Sequence, residues 1–129
     1  MGSMSTLRIG TLESLSGSNS VSQTTIFGGT AKAWNNIASS GGTPSINDSF
    51  NVSSITDNGV GIYTSNLSAA FANTSYVQIW QQNAAGARYP AGPWTTTSTT
   101  SAIASKCTDG GFVNGLDYPV VGSAHGDLA

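Results

Sequence analysis

Asp48-Ser49-Phe50-Asn51-Val52-Ser53-Ser54-Ile55-Thr56-Asp57-Asn58-Gly59-Val60-Gly61-Ile62-Tyr63-Thr64-Ser65-Asn66-Leu67 is the stretch that decides the fold class. Phe50 and Val52 alternate with polar neighbours, and Ile55 breaks the parity. That pattern predicts a strand over residues 49–56 with a bulge in it. Asp57-Asn58-Gly59 accepts positive φ at low cost and predicts a hairpin turn. The return strand over 61–67 then places Tyr63, Ser65 and Leu67 on one face.

Outward from this hairpin the chain keeps the same habit. Residues 31–37, with Trp34, read as a strand, and 39–44 read as a loop. Residues 76–82 form a further strand, with Tyr76, Gln78 and Trp80 on one face and Val77, Ile79 and Gln81 on the other. Residues 83–94 are a loop by their Pro and Gly content. Residues 95–104, rich in Thr, predict a strand, and 111–114 and 118–123 predict the last two. Helix formers are scarce, and the Ala-rich piece at 68–73 is too short for a stable helix alone. Short β-type runs separated by turn clusters are the mark of an all-β sandwich or barrel.

Composition narrows the function. Charged residues make up 8% of the chain, against about 25% in an ordinary domain. Ser (20), Thr (15), Asn (10) and Gly (16) supply 61 of the 129 residues, so the surface is polar without being charged. Net charge is −2, and the cations Arg8, Lys32, Arg88 and Lys106 are dispersed. A chain without a basic patch is not expected to bind nucleic acid. Its apolar runs are too short for membrane insertion as a helix, and its N-terminus lacks the apolar stretch of a signal peptide. Cys107 is the one cysteine, which excludes an intrachain disulfide; with His125 alone beside it, a zinc site would lack ligands.

Thr30-Ala31-Lys32-Ala33-Trp34, the run from Asp48 to Gly59, and Gly61-Ile62-Tyr63-Thr64 resemble a family of bacteriophage virion proteins. These are tail-fibre and related structural proteins of phages of marine bacteria and cyanobacteria. Ser5-Thr6-Leu7-Arg8-Ile9-Gly10-Thr11-Leu12, followed by Ser16-Gly17, is similar to the leader that often precedes this module. Val120-Val121-Gly122-Ser123-Ala124-His125-Gly126-Asp127 loosely resembles its last strand. The likeness is weak over 78–118. The chain also departs from the family at Asn35-Asn36-Ile37-Ala38-Ser39 and at Ala69-Ala70-Phe71-Ala72-Asn73. The resemblance implies a virion component and a homotrimer, with no cofactor and no agreed catalytic residues.

The residues themselves offer little chemistry. Asp48 and Asp57 are near in sequence, but Asp57 falls in a turn, and glycoside hydrolysis needs two carboxylates held across a sugar bond. His125 has serines around it but no nucleophile elbow. Residues 57–61 lack the alternating carboxylates of a calcium loop. We therefore expect no catalytic residues and no metal site. Trp34, Phe50 and Tyr63 are expected in the core or at a subunit interface. Arg88, Tyr89 and Trp94 form a candidate ligand set, since exposed aromatic faces stack on sugar rings, and Trp80, which closes its strand, fits either this set or the core and interface set.

The expectation is an antiparallel β-sandwich, jelly-roll-like, over 28–129, sharing surface about a threefold axis. An extended N-terminal segment over 5–27 would contact other chains. Two functions are open. One is a tail fibre or fibre-associated module that adheres to a host-surface glycan. The other is a capsid decoration protein that binds only other virion subunits.

Overall fold

The structure, a computed structural model, describes residues 11–13, 20–40, 42–82, 90–91, 97–108 and 115–129. The chain divides into two units, residues 1–30 and 31–129. In the first, β1 (Thr11–Glu13) pairs antiparallel with β2 (Ser20–Ser22). The helix α1 (Gln23–Gly29) follows, where an extended piece was expected. Its start is set by Ser22, whose side-chain oxygen accepts from the Thr25 N–H at 3.1 Å. A seven-residue helix with two threonines and two glycines has little propensity to advertise it.

The second unit is an antiparallel β-sandwich. One sheet has the order β4-β3-β10-β7-β8: β4 (Thr43–Phe50), β3 (Ala33–Ser40), β10 (Val120–His125), β7 (Val77–Gln82) and β8 (Pro90–Ala91). The other has the order β5-β6-β9: β5 (Val52–Asp57), β6 (Ile62–Leu67) and β9 (Ala102–Lys106). Ala33, Ile37, Trp80, Val120 and Ala124 from the first sheet cluster with Tyr63 and Ile103 from the second, and with Phe71 and Cys107. A buried hydrogen bond from Asn35 Nδ2 to Ser65 Oγ, 2.6 Å long, ties the two sheets across this core.

Two strands that read as one are in fact separate. Residues 43–50 belong to the five-stranded sheet and 52–57 to the other. The switch occurs at Asn51, at φ 57, a conformation asparagine tolerates better than most residues. Its side chain pins the corner. Nδ2 donates to the Lys32 and Ala69 carbonyls, both at 3.0 Å, and Oδ1 accepts from the Ala69 N–H at 2.7 Å. The parity break has a second source, a register shift between Val52 and Ser54 where β5 pairs with β6.

The expected loop at 39–44 is instead part of a β3–β4 hairpin, with Ser40 opposite Thr43 and Gly42 at φ 85. Pro44 fits there because β4 is an edge strand. The hairpin at 57–62 forms as expected: Asp57 pairs with Tyr63, and the Ile62 N–H donates to the Gly59 carbonyl at 2.8 Å.

The Thr-rich strand is shorter than its composition suggests and begins only at Ala102. Before it, the Thr100 and Ser101 carbonyls accept from the Phe71 and Leu67 N–H groups, which commits them to other segments. The Ala-rich piece is not helical. Phe71 bridges to Leu128, and the Ala72 N–H donates to the Asp127 carbonyl, so it ties down the C-terminal residues.

Candidate functional site

Of the four residues proposed to bind ligand, Arg88, Tyr89 and Trp94 lie outside the described residues. Trp80 is in the core, 6% exposed, and its Nε1 donates to Gln78 Oε1 at 3.3 Å. That placement removes Trp80 from a surface site. Strand parity put Tyr76, Gln78 and Trp80 together, and theirs is the face that points into the sandwich. Tyr63 is fully buried, in the core as expected.

Trp34 and Phe50 are elsewhere. They are cross-strand partners on the outer face of the five-stranded sheet, 36% and 52% exposed. Register extends this pair into a row. Trp34 is opposite Ser123 on β10, and Ser123 is opposite Ile79 on β7. Ile79 is 63% exposed. One row along the strands, His125 is opposite Val77, which is 61% exposed. One row the other way lie Asp48, Asn36, Val121 and Gln81. The outer face thus carries four large apolar side chains, a Trp34–Phe50 pair and an Ile79–Val77 pair on either side of β10, whereas a sheet face turned to water is normally polar.

The sequence contained this face without marking it. Val77 and Ile79 alternate with Gln78 and Trp80, so each side of β7 bears apolar residues, and alternation alone does not say which one is covered. The outer face of the three-stranded sheet shows the ordinary arrangement. There Asn66 Nδ2 donates to Ser54 Oγ and Thr56 Oγ1, both at 3.0 Å, and Asn58 Nδ2 donates to Thr64 Oγ1 at 2.9 Å.

Within the apolar face, Ser123 Oγ and His125 Nε2 are 3.2 Å apart. Among the described residues no group of three His, Cys, Asp or Glu side chains converges as a metal set would.

A second cluster lies under the 57–62 hairpin. Asp117 Oδ1 accepts from the Gly61 N–H at 2.7 Å and from the Tyr63 hydroxyl at 3.3 Å. The same hydroxyl lies 3.4 Å from Ser39 Oγ, and Cys107 Sγ lies 3.8 Å from the Tyr118 carbonyl. Burial pushes the Tyr63 phenol up to about 12, with the Asp117 charge acting in the same direction against the Ser39 hydrogen bond. Burial, again reinforced by Asp117, pushes the Cys107 thiol up to about 12. A thiol held neutral and buried is inert as a nucleophile, so the cluster reads as structural.

This cluster predicts alkaline sensitivity. The folded chain holds both protons more tightly than the unfolded chain does, so both groups favour the fold at lower pH. Their contribution is complete below about pH 9 and is lost as pH rises through about 9–12 for Cys107 and about 10–12 for Tyr63. Urea unfolding at stepped pH should show stability falling across that window. Cys107→Ala should shift the start of the fall from the thiol's ordinary range to the phenol's. An unchanged profile in that variant would show that the thiol is not linked to folding.

Compared with known protein families, curated proteins and solved structures, the chain matches none.

Proposed function

We propose that this chain is a structural subunit of a bacteriophage particle, working by packing against neighbouring protein subunits rather than by chemistry. The observation that carries the packing is the set of exposed apolar side chains on one outer sheet face, Trp34 and Phe50 on one side of Ser123 and Ile79 and Val77 on the other. Exposed β-branched residues beside two aromatics cost free energy in water and recover it when another protein surface covers them. The phage assignment is supported by the resemblance of residues 30–34 and 48–64 to virion proteins. Few charges leave little long-range repulsion between closely packed subunits. The alternative, adhesion to a host glycan, draws its support from Arg88, Tyr89 and Trp94 in the sequence.

Immunogold labelling of intact particles with antibody to this chain tests the proposal. Label on particles is the expected result. Label at the tail would direct attention to the fibre, and label over the shell to a decoration role. Purified particles that carry no label, and no trace of the chain by mass spectrometry, would overturn it.

A further inference from the structure

We infer that Asn58 is a self-modification site: the Gly59 backbone nitrogen displaces its side-chain amide, and the 57–62 hairpin passes to an aspartate or isoaspartate form as the protein ages. The inference is independent of the particle reading above and goes beyond it.

The sequence holds two Asn-Gly pairs, Asn58-Gly59 and Asn114-Gly115. In such a pair the residue after asparagine has no side chain, so its nitrogen can approach the asparagine Cγ and close a five-membered ring. Asparagine is thermolabile through this kind of reaction. The structure separates the two pairs. Asn58 and Gly59 are both exposed, and the space a Cβ would take on Gly59 is open. Gly115 is half-buried and bridges to Thr108, and a Cβ on it would collide with the Val60 carbonyl oxygen. Ring closure requires the peptide between asparagine and glycine to rotate. Gly59 rotates into open space, whereas Gly115 must give up its packing.

The hairpin also places a proton acceptor on the nucleophile. The Gly59 N–H donates to Asp57 Oδ1 at 3.0 Å, so a carboxylate already touches the proton that must leave. Asp57 takes that proton as the Gly59 nitrogen attacks Asn58 Cγ. The N–Cγ bond forms, the Cγ–Nδ2 bond breaks, and Nδ2 leaves as ammonia with the proton returned by Asp57. Water then opens the cyclic imide. Cleavage of the N–Cγ bond gives aspartate, and cleavage between the nitrogen and the main-chain carbonyl carbon gives isoaspartate. One water is consumed and one ammonia released, with no change of oxidation state.

A restraint acts on the leaving group. Asn58 Nδ2 donates to Thr64 Oγ1 at 2.9 Å and to the Thr56 carbonyl at 3.4 Å. Both bonds are exposed and exchange for water at small cost, so they slow the reaction without moving its site. The product loosens the turn. A carboxylate at position 58 has no proton to give Thr64 and stands beside Asp57. Isoaspartate also inserts a methylene into the backbone three residues before Gly61, whose N–H is fixed to Asp117.

Incubation of the full folded chain near neutral pH tests the inference, read by mass spectrometry with fragmentation that separates aspartate from isoaspartate. Conversion at Asn58 should outrun conversion at Asn114 several-fold, and the two rates should converge in urea, where the fold is gone. Asp57→Ser keeps an acceptor for the Gly59 N–H but no base, and should slow conversion at Asn58 several-fold. Thr64→Val frees the amide and should speed it. The converted chain should unfold at lower urea than the fresh one.

Equal conversion at the two asparagines in the folded chain, earlier conversion at Asn114, or no conversion at Asn58 while the urea-unfolded chain reacts would each overturn the site. If neither Asp57→Ser nor Thr64→Val changes the rate, the geometry of the turn does not select Asn58 and the inference falls. A converted chain as stable as the fresh one would overturn the loosening of the hairpin.

Discussion

Replacing Gly61 by alanine is expected to remove about 4 kcal/mol or more of stability, a large share of the 5–15 kcal/mol an ordinary domain possesses. Two costs coincide at this position. Gly61 sits at φ 68, where a side chain costs about 1–2 kcal/mol. Its new Cβ would also lie 2.6 Å from the Cys107 carbonyl oxygen and 2.7 Å from both the nitrogen and the oxygen of Leu116.

Those are backbone atoms, and they are held in place. The Cys107 N–H donates to the Gly61 carbonyl at 2.7 Å, and the Gly61 N–H donates to Asp117. Relief would require breaking the bonds that seat the hairpin on Cys107 and Asp117. Gly59 is the control. It has φ 125 but open space where a Cβ would go, so Gly59→Ala should cost only the backbone strain, about 1–3 kcal/mol. Urea denaturation of both variants measures the difference. Equal losses would mean that the close approach of Gly61 to its neighbours is not what the fold depends on.

Gly122→Ala should be nearly as severe, at about 3 kcal/mol or more, for a different reason. Gly122 is opposite Trp80 in the middle of the sheet, and the indole lies across the space a side chain would take. A Cβ there would fall 2.0 Å from Trp80 Cε3 and 2.5 Å from the Ile79 carbonyl oxygen. The ring must leave its place in the core, and the loss approaches that of deleting a buried tryptophan, about 3–5 kcal/mol.

Non-additivity identifies the cause. In a Trp80→Ala background, adding Gly122→Ala should cost clearly less than it does alone, because the ring it displaces is already gone. Strict additivity would show that Trp80 and Gly122 are energetically independent and that the indole does not rest on the glycine. This pair also explains why Trp80 does not serve as a surface residue. A glycine in the adjacent strand makes the pocket that buries it.

Local signals carried some elements without ambiguity. Asp57-Asn58-Gly59 makes a hairpin because Gly59 accepts φ 125 and donates its N–H to Asp57 Oδ1 at 3.0 Å, demands met within a few residues. The alternation of Tyr63, Ser65 and Leu67 fixed which side of β6 faces inward for the same reason. Other elements had no such marker. The helix Gln23–Gly29 owes its start to one serine cap rather than to propensity. Asn51 reads equally well within a strand or at a corner. It becomes a corner because three hydrogen bonds to Lys32 and Ala69, remote in sequence, hold it there.

The candidate site was the least legible part. Trp34 and Phe50 were singled out as core or interface residues, but their union with Val77 and Ile79 depends on β10, from the end of the chain, inserting between β3 and β7.

The β-rich, weakly charged and turn-punctuated character of the chain was therefore determined by the sequence alone, because backbone preference and side-chain polarity act over a few residues. Which face of each strand is covered, where Asn51 turns the chain from one sheet to the other, and that four apolar side chains lie on one open surface were decided only by the tertiary structure. Pairing between distant strands sets register, and register assigns every side chain to one face or the other.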